Sequence, residues 1–109
     1  MTTIAKRLVL GSALTGTAAV YYTAPNNTKA VIKSAALVNT TAAAIAGTVH
    51  VVPVAGAPGA ANTLISARNI AAGETYTCPE LVNQVLTAGE TLQALGNGLT
   101  LVVSGAEIV

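Results

Sequence analysis

Aspartate, phenylalanine and tryptophan are absent from this chain of 109 residues, and it holds one histidine (His50), one cysteine (Cys78) and four carboxylates, all glutamate. Each scarcity excludes something. A lone cysteine cannot build an intrachain disulfide framework. With one histidine and no aspartate, few groups are left to converge on a metal or to share acid–base work. Without Phe or Trp the core must come from Val, Leu, Ile and Ala, aided by three tyrosines. Charged residues make up 8% of the chain, against roughly 25% in ordinary soluble domains. A surface so poor in charge is weakly protected against association, which suits a protein whose surface is largely occupied by neighbours. The formal net charge is +1. Lys6, Arg7, Lys29, Lys33 and Arg68 are scattered and too few for a phosphate-tracking groove, so neither nucleic acid nor an anionic membrane is an expected partner. No apolar run approaches the ~18 residues of a membrane span.

What the chain does have is a period of two. In residues 29–54, KAVIKSAALVN places Ala30, Ile32, Ala36 and Val38 at even positions, with Ser34 the exception and Lys29 and Lys33 at odd ones. That alternation predicts a strand with one buried face. A Thr/Ala/Gly connection and a second β-branched run, broken at Pro53, predict its hairpin partner. Two strands cannot bury such a face alone. The remainder supplies more of them. Residues 3–10 read as a first strand or arm turning at Gly11-Ser12, and residues 18–23 as a short strand. Residues 55–62 form a small-residue loop, and 63–70 and 74–78 are further strands. Residues 79–86 fit a helical turn after Pro79 or an extended edge about equally. Asn97-Gly98 predicts a two-residue hairpin. In the last strand, residues 99–109, the apolar phase changes after Gly105, so a bulge is expected there to turn Ala106 and Ile108 to the core. Ala72-Gly73-Glu74-Thr75 recurs as Ala88-Gly89-Glu90-Thr91, which reads as repeated turn chemistry. The sum is a single all-β domain over residues 1–109, an antiparallel β-sandwich of jelly-roll or immunoglobulin-like type with about seven to eight short strands. Residues 1–12 are its arm or first strand.

No constellation of catalytic residues emerges, and no cofactor or metal is expected. His50 sits between valines and reads as a packed or solvent-tipped side chain. Cys78 reads as a small buried hydrophobe, and two of the glutamates directly follow turns. Asn26-Asn27-Thr28 and Asn39-Thr40-Thr41 match N-x-[ST], a pattern frequent by chance in an Asn/Thr-rich chain. The loop Gly56-Ala57-Pro58-Gly59 lacks the Lys-Ser/Thr of a phosphate cradle. Near the start, Lys6-Arg7-Leu8-Val9-Leu10 resembles a leader, but Gly11, Ser12, Thr15 and Gly16 interrupt the apolar run. Synthesis in the cytoplasm without a signal peptide is therefore the expectation.

Tyr22 through Thr28 (YTAPNNT), leading into Ala30-Val31-Ile32-Lys33-Ser34, together with Leu37, Asn39-Thr40 and Leu86-Thr-Ala-Gly89-Glu90-Thr-Leu92, resembles the small β-sandwich virion proteins of tailed bacteriophages. These are of the capsid-decoration, cement and tail-accessory kind. The resemblance implies a homo-oligomeric, non-enzymatic subunit on the capsid exterior, bound to a lattice of major capsid protein. It carries no catalytic residues. A tail, neck or fibre component is the alternative within that class, and a carbohydrate-binding or adhesion module the alternative outside it. The interface residues expected from the sequence are Lys6, Arg7 and Leu8 on the arm, Tyr21 as a surface anchor, and Lys29 and Lys33 on the outer face of their strand. The arm would add a strand to a neighbour's sheet. Removing residues 2–10 should then abolish binding and leave the fold intact.

Overall fold

The chain forms one antiparallel ribbon, doubled back on itself at residues 53–62 and rolled into two facing sheets. The computed structural model describes residues 2–109; residue 1, the first of the expected arm, lies outside them. Nine strands are described: β1 (Thr3–Ala13), β2 (Ala19–Thr23), β3 (Lys29–Asn39), β4 (Ile45–Val52), β5 (Thr63–Ile70), β6 (Thr75–Thr77), β7 (Val85–Leu86), β8 (Thr91–Leu95) and β9 (Leu99–Ile108). The ribbon's nested pairs are β4 with β5, β3 with β6 and β7, β2 with β8, and β1 with β9. Rolling adds β9 to β3 and β8 to β4. The first sheet therefore runs β1-β9-β3-β6, with β7 beside β3, and the second runs β2-β8-β4-β5. That strand order is the double Greek key of a jelly roll, one of the two sandwich types expected.

Between the sheets lies an aliphatic core. The first sheet contributes Ile32, Leu37, Leu99, Leu101 and Val103, and the second Val49, Ile65, Ile70, Leu92 and Ala94. The ambiguous stretch after Cys78 takes both of its readings in turn. Pro79–Leu81 is a single 3-10 turn that buries Leu81, and β7 then pairs extended with the start of β3.

Several local expectations fail, each for a visible reason. Residues 29–54 do not form a hairpin: β3 lies in the first sheet and β4 in the second. Asn39 makes the corner. Fully buried, it donates through Nδ2 to the carbonyls of Ala43 (2.8 Å) and Ile70 (2.9 Å), and its Oδ1 accepts from the Thr41 amide and hydroxyl. That burial also removes Asn39 as a glycan acceptor. Asn97-Gly98 likewise turns the chain between sheets, since β8 pairs with β2 and β4 while β9 pairs with β1 and β3. The glycines still serve the turn, with φ of +148° at Gly96 and +100° at Gly98.

The phase changes also fall elsewhere. β3 is bulged where Ile32 pairs with Gly105 and Ser34 with Ser104, so Lys33 and Ser34 both face outward. Beyond that point Ala35, Leu37 and Asn39 face the core, and Ala36 and Val38 lie on the other side. No phase change occurs in β9. Leu99, Leu101, Val103, Gly105 and Glu107 share its inner face, while β3 slips register opposite Ser104 and Gly105 and β1 slips on either side of Val103. A Cβ on Gly105 would collide with the Val31 carbonyl oxygen, which is why this position is glycine. Gly11, with φ of +118°, lies within β1 rather than ending it. β1 is no detached arm either. It pairs with β9 from Thr3 to Ala13, and Leu8 and Val9 are buried in the core, so removing residues 2–10 would take away part of the fold itself.

Candidate interaction surface

All four carboxylates are engaged within the chain. Glu74 and Glu90 close two matching turns: the amide of Ala71 donates to Glu74 Oε1 (2.9 Å) and that of Thr87 to Glu90 Oε1 (2.7 Å). Each turn has glycine at positive φ, Gly73 at +74° and Gly89 at +86°. The repeated Ala-Gly-Glu-Thr motif is thus the same turn used twice, as its sequence indicates. The Tyr76 hydroxyl donates its one proton to the Glu80 carboxylate, shared between oxygens at 2.7 and 2.8 Å, and the Arg68 guanidinium stacks 4.2 Å above the Tyr76 ring. The hydrogen bond to Glu80, above all, holds the Tyr76 phenol above its ordinary value.

Glu107 is the carboxylate drawn inward. It lies on the inner face of β9, 8% exposed, where it accepts from the Tyr22 hydroxyl of β2 and pairs with Lys6 Nζ at 3.4 Å. Burial first, then the hydrogen bond and the charge of Glu107, push the Tyr22 phenol well above its ordinary value. Tyr22, Glu107 and Lys6 form a polar clasp between the sheets at the rim of the core. Strict alternation through Leu99, Leu101 and Val103 would have placed Glu107 inward; the expected bulge at Gly105 concealed it.

The six expected interface residues do not share one surface. Lys6 is committed to Glu107. Leu8 is a core residue, 7% exposed, because the β1 bulge turns it in. Tyr21 is the extra residue of a bulge in β2, half-buried against the core and in the other sheet. Arg7, Lys29 and Lys33 do come together, all exposed and all on the outer face of the first sheet. None of the three meets a carboxylate within 4 Å among the described residues.

On that same face open two hollows. One, of about 510 Å³, is lined by Asn27, Thr28, Lys29, Thr87, Ile108 and Val109 among others. The other, of about 400 Å³, lies between Ala36, Thr77, Pro79, Val82 and Val102. Cys78 borders the second, with its thiol buried and pushed up to about 11, mainly by desolvation and next by the Glu80 charge. A thiol so protonated is a poor nucleophile.

His50 is buried on the outer side of the second sheet, its Nδ1 3.0 Å from Thr63 Oγ1. That hydroxyl donates its one proton to the Gly59 carbonyl at 2.7 Å, so the imidazole Nδ1–H is the donor to Thr63. His50 thereby ties β4 to the loop before β5. Among the described residues no group of three His, Cys, Asp or Glu side chains could hold a metal ion, and no helix is long and apolar enough to cross a membrane. β1 is the remaining feature of note, an edge strand of 11 residues paired on one side only, with Leu10 77% exposed. Comparison with known proteins finds no matching family model and no curated protein of similar sequence.

Proposed function

We propose that this chain is a non-enzymatic virion structural protein, a capsid decoration or cement subunit that binds and stabilises a lattice of major capsid protein from outside the shell. The observation that carries this reading is a charge-poor jelly roll in which every carboxylate is spent on holding the fold while three cations are left on one sheet face. A jelly roll is an architecture that capsid proteins use repeatedly, though architecture alone does not assign a role. The long open edge of β1 supports self-association through strand addition, as a homo-oligomeric subunit requires. Sugar-binding jelly rolls rely on exposed aromatic faces, and here the Tyr76 ring is already covered by Arg68. That favours the structural role over a lectin.

The test is composition of a purified virus particle. Quantitative mass spectrometry should find the chain in a fixed, high copy number relative to the major shell protein. Its presence at a few copies per particle would move it to the tail or neck. Absence from particles, or specific retention on a glycan array, would overturn the reading.

A further inference from the structure

We infer that the outer face of the first sheet docks on a protein surface that presents carboxylates and protruding apolar side chains, and not on the same face of a second copy. The inference deepens the structural role proposed above by naming the contact face and the partner's chemistry, and it does not require that the partner be a capsid.

Strand register lays the face out in rows. At one end Thr3, Ile108 and Lys29 lie side by side across β1, β9 and β3. Next come Ala5, Ala106, Val31 and Val85, an apolar row. The third row holds Arg7, Ser104 and Ser34, and the bulge in β3 sets Lys33 beside them. Beyond it Val102, Ala36 and Thr77 make a second apolar row. Rows recur every two residues, so the Lys29 row and the Arg7–Lys33 row stand about 13 Å apart, with aliphatic floor between and beyond them. The two hollows of about 510 and 400 Å³ open from this floor, one beside Lys29 and one beside Val102. Each is large enough to receive an apolar side chain.

Charge decides what fits. Three of the chain's five basic residues stand on this face, and no glutamate does. Glu74 and Glu90 are held in turns, Glu80 is taken up by Tyr76, and Glu107 faces inward to Tyr22 and Lys6. The same face of a second copy would oppose cation to cation. Nucleic acid fits poorly as well, because that binding is carried by neutralising many phosphates, on the order of 6–10 contacts in a basic groove, whereas here three cations border an apolar floor. A carboxylate-bearing protein satisfies both features, charge at the rim and burial at the centre.

Carbodiimide coupling tests this directly, since it joins lysine amines to carboxylates in contact without adding a spacer. The full chain is treated in lysate of the cells that produce it and in any particles purified from them, and linked peptides are sequenced. The expected result is links from Lys29 and Lys33 to Asp or Glu of one different protein. Their yield should fall at least tenfold in Arg7→Glu, which leaves both lysines in place, and in Val102→Glu, with circular dichroism unchanged. Arg7 is exposed, so the first variant should fold even if the second does not. Links to Glu74, Glu80 or Glu90 of another copy would overturn the inference in favour of self-association. Links from Lys6 alone, or none from Lys29 and Lys33, would overturn it outright. Retention on double-stranded DNA or on vesicles containing phosphatidylserine, lost in the charge-reversed variant, would also overturn it. Links from this face to a protein outside any particle would sustain it while removing the virion reading, and particle attachment through another face would do the reverse.

Discussion

The hydroxyl of Tyr22 on β2 donates to the Glu107 carboxylate on β9 at 2.5 Å, joining the two sheets at the margin of an otherwise aliphatic core. Lys6 on β1 completes the contact, so three strands from both layers meet at one buried carboxylate. The core supplies cohesion without direction, and this clasp fixes how the rolled edge of the first sheet sits over the second. Breaking one member leaves Glu107 short of a partner in a place that water reaches poorly. Tyr22→Phe should therefore cost about 1–3 kcal/mol, read as a lower urea midpoint at unchanged slope. A change under about 0.5 kcal/mol would mean the contact adds nothing to stability.

The same contact makes stability depend on alkaline pH. The Tyr22 phenol has its pKa raised in the folded chain from an ordinary value of 10.0, chiefly by burial and then by Glu107. Below about pH 10 both states keep the proton, and the contribution is fully present. Above it the unfolded chain ionises while the folded chain does not, so stability falls as pH rises. The Cys78 thiol, moved from 9.0 to about 11, acts in the same direction. The stability gap between the native chain and Tyr22→Phe should narrow as pH rises above about 10, measured by urea unfolding at each pH. Parallel loss in both proteins would show that Tyr22 is not the responsible group.

Gly105 and Gly16 provide a matched pair. A methyl on Gly105 would run into the Val31 carbonyl oxygen, part of the bulged β3 backbone, whereas one on Gly16 meets nothing within 4 Å. Backbone cannot step aside as a flexible side chain can. Gly105→Ala should cost about 3 kcal/mol or prevent folding, and Gly16→Ala should stay within about 0.5 kcal/mol of the native chain. Thermal melts of the two variants side by side decide the point.

That pair also shows how far the sequence could be read. Period-two alternation in KAVIKSAALVN and QALGNGLTLVV carries strand identity, because side-chain direction is a local property of extended backbone. Which strands pair is not local. Asn97-Gly98 has the residues of a hairpin and turns between sheets instead, since Leu99 packs into the core beneath Gly47 and β9 gains two neighbours there. Ser34, odd man out in an even-numbered apolar series, is the visible trace of the β3 bulge. Gly105 is a trace too, of a bulge in the strand beside it. Lys29 and Lys33 were legible as outward-facing. That Arg7 joins them, and that Leu8 does not, depends on a register slip in β1 that no pattern of residues marks.

Cys78 should behave as a reporter of opening and not as a reactive thiol. Its side chain is buried, and its pKa near 11 leaves almost no thiolate at neutral pH. Reaction with a disulfide reagent at about pH 8 should be at least a hundredfold slower than in urea-unfolded chain. Its rate should also rise with sub-denaturing urea as local opening becomes more frequent. Immediate stoichiometric labelling would show that the 3-10 turn after Cys78 does not shield it.

Removal of β1 separates an arm from a structural strand. Leu8 and Val9 are both buried, and β1 covers one edge of β9 along its whole length. A chain lacking residues 2–10 loses two core aliphatics and bares the edge of β9 from Val103 to Ile108. Each aliphatic lost from a core costs about 2–5 kcal/mol, and the bared β9 edge invites pairing between copies. The truncated protein should be unfolded or aggregated at room temperature by circular dichroism and light scattering. Leu8→Ala alone should remain folded at about 2–4 kcal/mol below the native chain. A truncated chain that stays monomeric with a native-like melt would mean that β1 is an arm after all, and that β9 and β3 hold the first sheet without it.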